Sequence, residues 1–343
     1  MQRPNLFDFA TSELSQDAFI AWLLSWADPA WASTDTELHA CGQRLLAGFF
    51  RAHGKTAPHP IEKVEVRRQV NHIDVLCIVN AQFAVLVEDK TATQEHGAQL
   101  PNYIKALTGR GFERERILPI YLKTHEQSDF TGVTKHAYQV FTRRQVLDVL
   151  ETCQSSNNIL LDFRQRMLRL ESDFGSHRTL PLSSWDYRSW IGFYQELKRV
   201  LTVESTWEYV PNPGGGFWGF WWCWPYDADE RCHVYLQLEQ AKFCFRVSEV
   251  QNPDRAATRN KWHRLIVNNA SQHGFRAVKP KQFGYGKSMT VAVLDGEYRK
   301  LGSDGLLDFD QTVDFIKQVQ AGFTRIVSQS TNVIPSVEVP ATG

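Results

Sequence analysis

Three charged side chains stand out by type and spacing: Asp74 within the apolar run NHIDVLCIV, and Glu88 and Lys90 at the end of FAVLVEDK. Glu88 and Lys90 are two residues apart, so in an extended chain their side chains leave the same face. Asn80-Ala81-Gln82 reads as a turn between the two runs. If the runs are antiparallel neighbours across it, Asp74 lies opposite the end of the second run. Two carboxylates and an ammonium then converge. Adjacent carboxylates repel and tend to hold a proton between them. A hard divalent cation removes that conflict, and oxygen-only ligation selects Mg2+ or Mn2+. Such a metal polarises a phosphoryl oxygen and acidifies water, while a lysine steadies the attacking hydroxide or the developing charge. That chemistry is phosphodiester hydrolysis. The competing reading is a solvated strand tip, because an acid, any residue and a lysine recur by chance. Glu196-Leu197-Lys198 has the same form inside an amphipathic helical pattern, where it reads as an exposed face.

Downstream, Gln99 and Tyr103 are four apart, so on a helix they share a face that can point back toward the strand end and meet a phosphate or nucleobase. A helix opening on Gln with a half-buried Tyr explains them equally well. Pro101 fits only in a first turn, so the helix starts close to Gln99, at its anion-binding end.

The elements that must position these residues follow from periodicity. Leu14, Ala18, Ala21, Trp22 and Ser25 have helical spacing and predict an amphipathic helix over 11–28, stopped by Asp28-Pro29. A second helix is expected over 36–52. Strands follow at 64–70, 73–79 and 83–87, then a helix over 99–108, a strand at 117–122, and helices at 143–153 and 160–170. This order predicts a mixed α/β domain over 1–175.

These residues together resemble the PD-(D/E)xK nuclease superfamily, and more narrowly the branch whose core reads ID, apolar strand, ENK, then QLxxY. Asp74 stands at the lone metal-binding acid, Glu88 and Lys90 at the ExK pair, Asp89 where that branch often has Asn, and Gln99 and Tyr103 at the Gln-x-x-x-Tyr element. TSELSQDAFIAWLLSW is similar to the helix that opens that branch, which makes Glu13 a helix-borne acid of the site; an acid favoured by the helix dipole is the alternative. The similarity spans roughly 5–155. Ile73 stands where a Pro is usual, and Pro101 interrupts the Gln–Tyr element. The resemblance implies a restriction-endonuclease-like mixed sheet flanked by helices. It also implies a Mg2+- or Mn2+-dependent nuclease in which Asp74, Glu88, the Asp89 backbone carbonyl and Glu13 hold metal. Arg67, Arg68 and His72, the last placed on the Asp74 strand face, are candidate substrate contacts, as are Arg110, Arg114 and Arg116; plain solvation is the other reading of the arginines.

A second domain is expected over 183–328, an α+β unit with an antiparallel, Trp-rich sheet, followed by a frayed, flexible tail at 329–343. FWGFWWCWPY puts Trp218, Phe220, Trp222 and Trp224 on one strand face and Phe217 and Trp221 on the other. Such a stripe stacks bases or packs under helices. RNKWHR at 259–264 reads as a phosphate-facing or simply exposed helix face.

Lys plus Arg and Asp plus Glu are 38 each, so no global basic field advertises nucleic acid, though an enzyme needs only a local one. The six cysteines form no CxxC pair, which argues against zinc knuckles and fits reduced thiols. The apolar stretch 18–26 is too short to span a bilayer. The expectation is a cytoplasmic nuclease without membrane association, acting on nucleic acid with DNA ahead of RNA, in defence or DNA processing. Homo-oligomers, or a partner protein on the second domain, are left open. The alternatives are a catalytically inert binding module that keeps the fold, and a nuclease gated by ligand at the second domain.

Overall fold

In the computed structural model, which describes residues 3–91, 99–212, 214–329 and 333–334, the chain divides into two units, Met1–Ser172 and Asp173–Gly343. The N-terminal unit opens with α1 (Glu13–Ser25), capped by the Ser12 hydroxyl accepting from Ser15 N, and α2 (Thr36–Ala52), capped by Asp35. The face α1 buries is not the stripe read from spacing. Leu14 is 58% exposed, whereas Phe19, Ile20, Leu23 and Leu24 are buried together with the polar Gln16 and Asp17. Those two polar residues have partners beneath them, described below.

Next come β1 (Val64–Val70), β2 (Ile73–Val79) and β3 (Phe83–Lys90), all antiparallel neighbours. The β1–β2 connection is a two-residue turn with positive φ, Asn71 at 54° and His72 at 66°, and the β2–β3 connection is the three-residue turn Asn80–Gln82, with φ of 51° at Asn80 and 53° at Ala81. This is the turn sense that matches strand twist. His72 therefore belongs to the turn and not to the strand face on which its spacing from Asp74 had put it. After α3 (Gln99–Thr108), β4 (Ile117–Lys123) returns parallel to β3, and after α4 (Thr131–Thr134) the short β5 (Gln139–Thr142) lies parallel to β4. The sheet order is β1-β2-β3-β4-β5. Helices α5 (Arg143–Glu151) and α6 (Asn158–Gly175) follow.

β3 is thus central and β4 is buried along its whole length, which explains their continuous apolar runs. The register sets Leu76 beside Leu86 and Ile78 beside Ala84. That face is roofed by α3: Leu76, Ala84 and Leu86 share a core with Leu100, Tyr103 and Leu107. The opposite face, which carries Asp89, has α1 packed against β1, β2 and β3.

The C-terminal unit holds α7 (Tyr187–Leu201), β6 (Ser205–Val210), β7 (Phe217–Trp222), β8 (Tyr226–Asp227), β9 (Cys232–Glu239), β10 (Lys242–Ser248), α8 (Arg255–Asn269), β11 (Ala277–Val278), β12 (Met289–Leu294), α9 (Phe309–Ser328) and β13 (Val333–Ile334). The sheet is antiparallel, ordered β11-β12-β10-β9-β7-β6, with β8 pairing β9 and β13. β13 lies in the stretch read as a tail; the rest of 330–343, and Pro213 of the Pro-Gly loop, lie outside the described residues.

The aromatic run of β7 splits in two. Phe220 and Trp222 pack as core: Phe220 stacks on Tyr194 of α7 at 5.6 Å, and Trp222 Nε1 donates to Gln320 Oε1 of α9 at 2.9 Å. Cys223 then has φ of 60°, which breaks the alternation of the strand. Trp224 consequently leaves the Trp222 side assigned to it by spacing and joins Trp221 and Tyr235.

Candidate active site

The site forms where β2 begins and β3 ends. Continuing the register Val75–Val87 by one residue places Asp74 opposite Glu88, and the Asp89 backbone N–H donates to Asp74 Oδ2 at 2.9 Å. Glu88 and Lys90 leave the same face of β3, and Lys90 Nζ lies 2.9 Å from Glu88 Oε1 and 3.8 Å from Glu13 Oε2. Glu13, the first residue of α1, also accepts from Thr91 N at 3.0 Å and Thr91 Oγ1 at 3.3 Å. Asp74, Glu88, Lys90 and Glu13 are therefore brought together from three elements.

Tyr103 is 7% exposed on the α3 roof over the same sheet face. Burial raises its hydroxyl pKa, and the charges of Glu88 and Asp74 raise it further. It is therefore a neutral donor beside the acids. Gln99 opens α3 and is exposed. The Asp89 carbonyl accepts from Lys90 Nζ at 3.1 Å.

Electrostatics mark Glu88 out. It is 3% exposed, and burial, reinforced by Asp74, pushes its carboxyl up to about 7 against the opposing pull of Lys90. For Lys90, burial favours loss of the proton but is outweighed by Glu88, Asp74 and Glu13, and its pKa is raised. The ammonium is thus held charged among acids.

A second layer, which motif reasoning passed over, stands on the α1 side. Gln16 Nε2 donates to Asp89 Oδ1 at 2.5 Å, and Gln16 Oε1 accepts from Thr124 Oγ1 at 2.9 Å. Gln69 Nε2 reaches both Asp17 Oδ2 and Asp74 Oδ1 at 3.2 Å. Burial and the Asp74 charge raise Asp17 to about 6, and burial and Asp17 raise Asp89 well above the usual carboxylate range. The two buried acids therefore share a proton readily. The available signal was helical spacing: Asp17 falls one turn after Glu13.

The arginines are mostly elsewhere. Arg67 is 55% exposed and pairs with Glu65 at 3.3 Å. Arg68 donates to Leu14 O at 2.9 Å, on the α1 side. Arg114 and Arg116 precede the first residue of β4, at the opposite end of the strand pair from Lys90 and Lys123, so they do not join the site. Arg110 is exposed beyond the end of α3, and exposed His72 sits in the β1–β2 turn.

The donor set is suited to a hard cation. Asp74, Glu88 and Glu13 supply oxygen only, and Glu88 Oε2 is buried with no hydrogen-bond partner among the described residues, a costly state for an anionic oxygen. Among the described residues no three His, Cys, Asp or Glu side chains form a closed ligand set. The arrangement is an open carboxylate pair with an ammonium against it, and Mg2+ commonly keeps several waters in such sites.

Comparison with known proteins agrees with this geometry. The family model described as PD-(D/E)XK nuclease superfamily matches residues 4–167, nearly the whole N-terminal unit. No curated protein and no solved structure gives a significant match to the chain.

Proposed function

Starting from an N-terminal unit that belongs to the PD-(D/E)XK nuclease superfamily, we propose that the chain hydrolyses phosphodiester bonds of nucleic acid with Mg2+ or Mn2+, DNA being the first substrate expected. The observation that carries this is Glu88: a buried carboxylate with one oxygen unpartnered, opposite Asp74 and 2.9 Å from the Lys90 ammonium.

Asp74 and Glu88 would hold the metal, with Glu13 and the Asp89 carbonyl at the margin. The bound cation would polarise the scissile phosphoryl group and make water more acidic. Glu88, raised to about 7, must be ionised to act as ligand, so a metal and a neutral to alkaline pH favour the competent state together. Lys90 keeps its charge and donates hydrogen bonds to the attacking oxygen or to a non-bridging phosphate oxygen as charge accumulates. Gln16 and Gln69 act behind them: they fix the carboxylates of Asp89 and Asp74, and so the spacing of β2 and β3 at the site.

The test is incubation of the full chain with single- and double-stranded DNA and RNA in Mg2+, Mn2+ or EDTA, beside Lys90→Ala. Cleavage that needs metal and Lys90 is expected. Metal-independent cleavage, or equal cleavage by Lys90→Ala, would remove the assignment, and absence of cleavage on all four polymers would favour the inert binding reading.

A further inference from the structure

The β7–β9–β10 side of the C-terminal sheet carries a cavity of about 580 Å³, within the range of single small-ligand sites, roughly 300–1,000 Å³. Its lining includes Phe217, Trp221, Trp224, Tyr235 and Arg246. Trp224 and Tyr235 stack at 4.2 Å, and the Arg246 guanidinium lies 5.9 Å from the Tyr235 ring. Three buried N–H groups of this lining have no acceptor among the described residues: Trp221 Nε1, Trp224 Nε1 and Arg246 Nε. A buried donor left unpaired costs about 1–3 kcal/mol, and the cost is repeated here within one cluster.

We propose that this cavity binds a nucleobase. The chemistry follows from the walls. Flat aromatic faces favour a flat ring, and donors without acceptors favour a ring rich in nitrogen and oxygen acceptors. An aliphatic or lipid ligand would leave all three N–H groups unpaired. Glu208 and Glu249 on the same lining supply acceptors for exocyclic amino groups. The phosphate end is placed by charge. A neighbouring cavity of about 850 Å³ shares Phe217, Arg246 and Ser288 with the first and adds Lys242, Lys281 and Glu239, the last paired with Arg246 at 3.2 Å and Lys242 at 3.5 Å, while Lys287 lines the first. A base laid against the aromatic wall thus has its sugar-phosphate directed toward Lys281 and Lys287. Free nucleotides and an unstacked base of a single strand offer the same chemistry. This proposal does not rest on the hydrolytic reading, because binding is measured where no hydrolysis occurs.

The experiment is isothermal titration of the full chain in EDTA with each nucleoside monophosphate, with a short single-stranded oligonucleotide, and with the same oligonucleotide carrying abasic positions. Saturable binding of at least one base-containing probe is expected. Trp224→Phe keeps a ring and removes one donor, and should weaken that binding about tenfold. Lys242→Ala together with Lys281→Ala should weaken the monophosphate but not its nucleoside. Binding of mononucleotides unchanged by competing oligonucleotide assigns a free nucleotide. Binding of the oligonucleotide that is lost with the abasic strand assigns a base within a strand. No saturable binding of any probe up to millimolar concentration overturns the proposal. So does binding that Trp224→Phe and a second donor variant, Trp221→Phe, both leave unchanged while melting temperatures match wild type.

Discussion

Among the described residues, the buried polar atom left without a hydrogen-bond partner at the end of β3 is a carboxylate oxygen, Glu88 Oε2, beside the proton-sharing acids Asp17 and Asp89; around β7, β9 and β10 such atoms include the N–H groups of Trp221, Trp224 and Arg246. Each sheet thus carries unmet polarity of one dominant sign at the place where its own chemistry is concentrated. Excess acceptors call for a cation or a proton, and excess donors call for an acceptor-rich ligand. The lesson is that the sign of unmet hydrogen bonding reads out the kind of ligand. It also separates the roles of the aromatics. Phe220 and Trp222 meet their neighbours fully and are core, whereas Trp221 and Trp224 do not.

The largest expected effect tests the acceptor-rich side. Lys90→Ala removes a cation that lies within 4 Å of both Glu88 and Glu13, and metal-dependent single-turnover cleavage should fall by at least about 10²–10³-fold. A loss below tenfold would mean that the ammonium is structural only. Next comes Glu88. In the folded chain its carboxyl titrates near 7 instead of 4.5, so folding holds the proton more tightly than the unfolded chain does. Metal-free stability is therefore greatest below about pH 4.5 with respect to this group and declines as pH rises through 7. The decline is on the order of 3 kcal/mol, because each tenfold difference in proton affinity is worth about 1.4 kcal/mol. Glu88→Gln should abolish cleavage yet flatten that decline in denaturant unfolding between pH 5 and 8. Wild-type cleavage should climb between pH 6 and 8, and Mg2+ should raise the melting temperature more at pH 8 than at pH 6. A pH-independent metal effect would contradict the buried-acid reading.

A smaller effect is expected one layer back. Gln16→Leu leaves Asp89 Oδ1 and Thr124 Oγ1 without their bridge. It should lower kcat about 5–30-fold with KM little changed, reflecting a hydrogen-bond network worth about 1–2 kcal/mol. A change confined to KM would move Gln16 from positioning to substrate contact. The smallest is Arg67→Ala: an exposed arginine paired with Glu65 should alter stability by less than about 0.5 kcal/mol and leave cleavage unchanged. A large loss there would bring β1 into substrate binding.

Much of the N-terminal fold was legible because its central strands are buried on both faces and its tight turns carry Asn. β2, α2 and α3 begin and end where periodicity put them. β5 was not legible: Gln139–Thr142 is four residues of mixed polarity at a sheet edge, where parallel pairing and not pattern defines the strand. At the candidate site, Asp74, Glu88 and Lys90 could be brought together because strand alternation is a local property, whereas Glu13 came only from the resemblance of its helix to the family's opening helix. Gln16 and Gln69 could not be read from pattern alone, whereas helical spacing from Glu13 pointed to Asp17. A polar residue on a helix is ordinarily solvated, and only the approach of Asp89 from another element turns Gln16 inward. His72 and Trp224 were misplaced for one reason: a positive φ, at His72 itself and at Cys223, ends the two-residue alternation on which both assignments relied.

The strand order carries a consequence for synthesis. Asp74 and Glu88 lie on strands joined by the Asn80–Gln82 turn, a hairpin contact that forms in microseconds once both strands exist. β4, with Thr124 just after it, pairs parallel to β3 only after a long crossover has closed, and such pairing is intrinsically slower. On the ribosome the acid pair therefore emerges and can meet before α3 and β4 have left the exit tunnel. A nascent chain would carry a cation-attracting hairpin with neither the Tyr103 roof nor the Gln16–Thr124 brace. The candidate site would be completed late, when the molecule is already committed to its final shape.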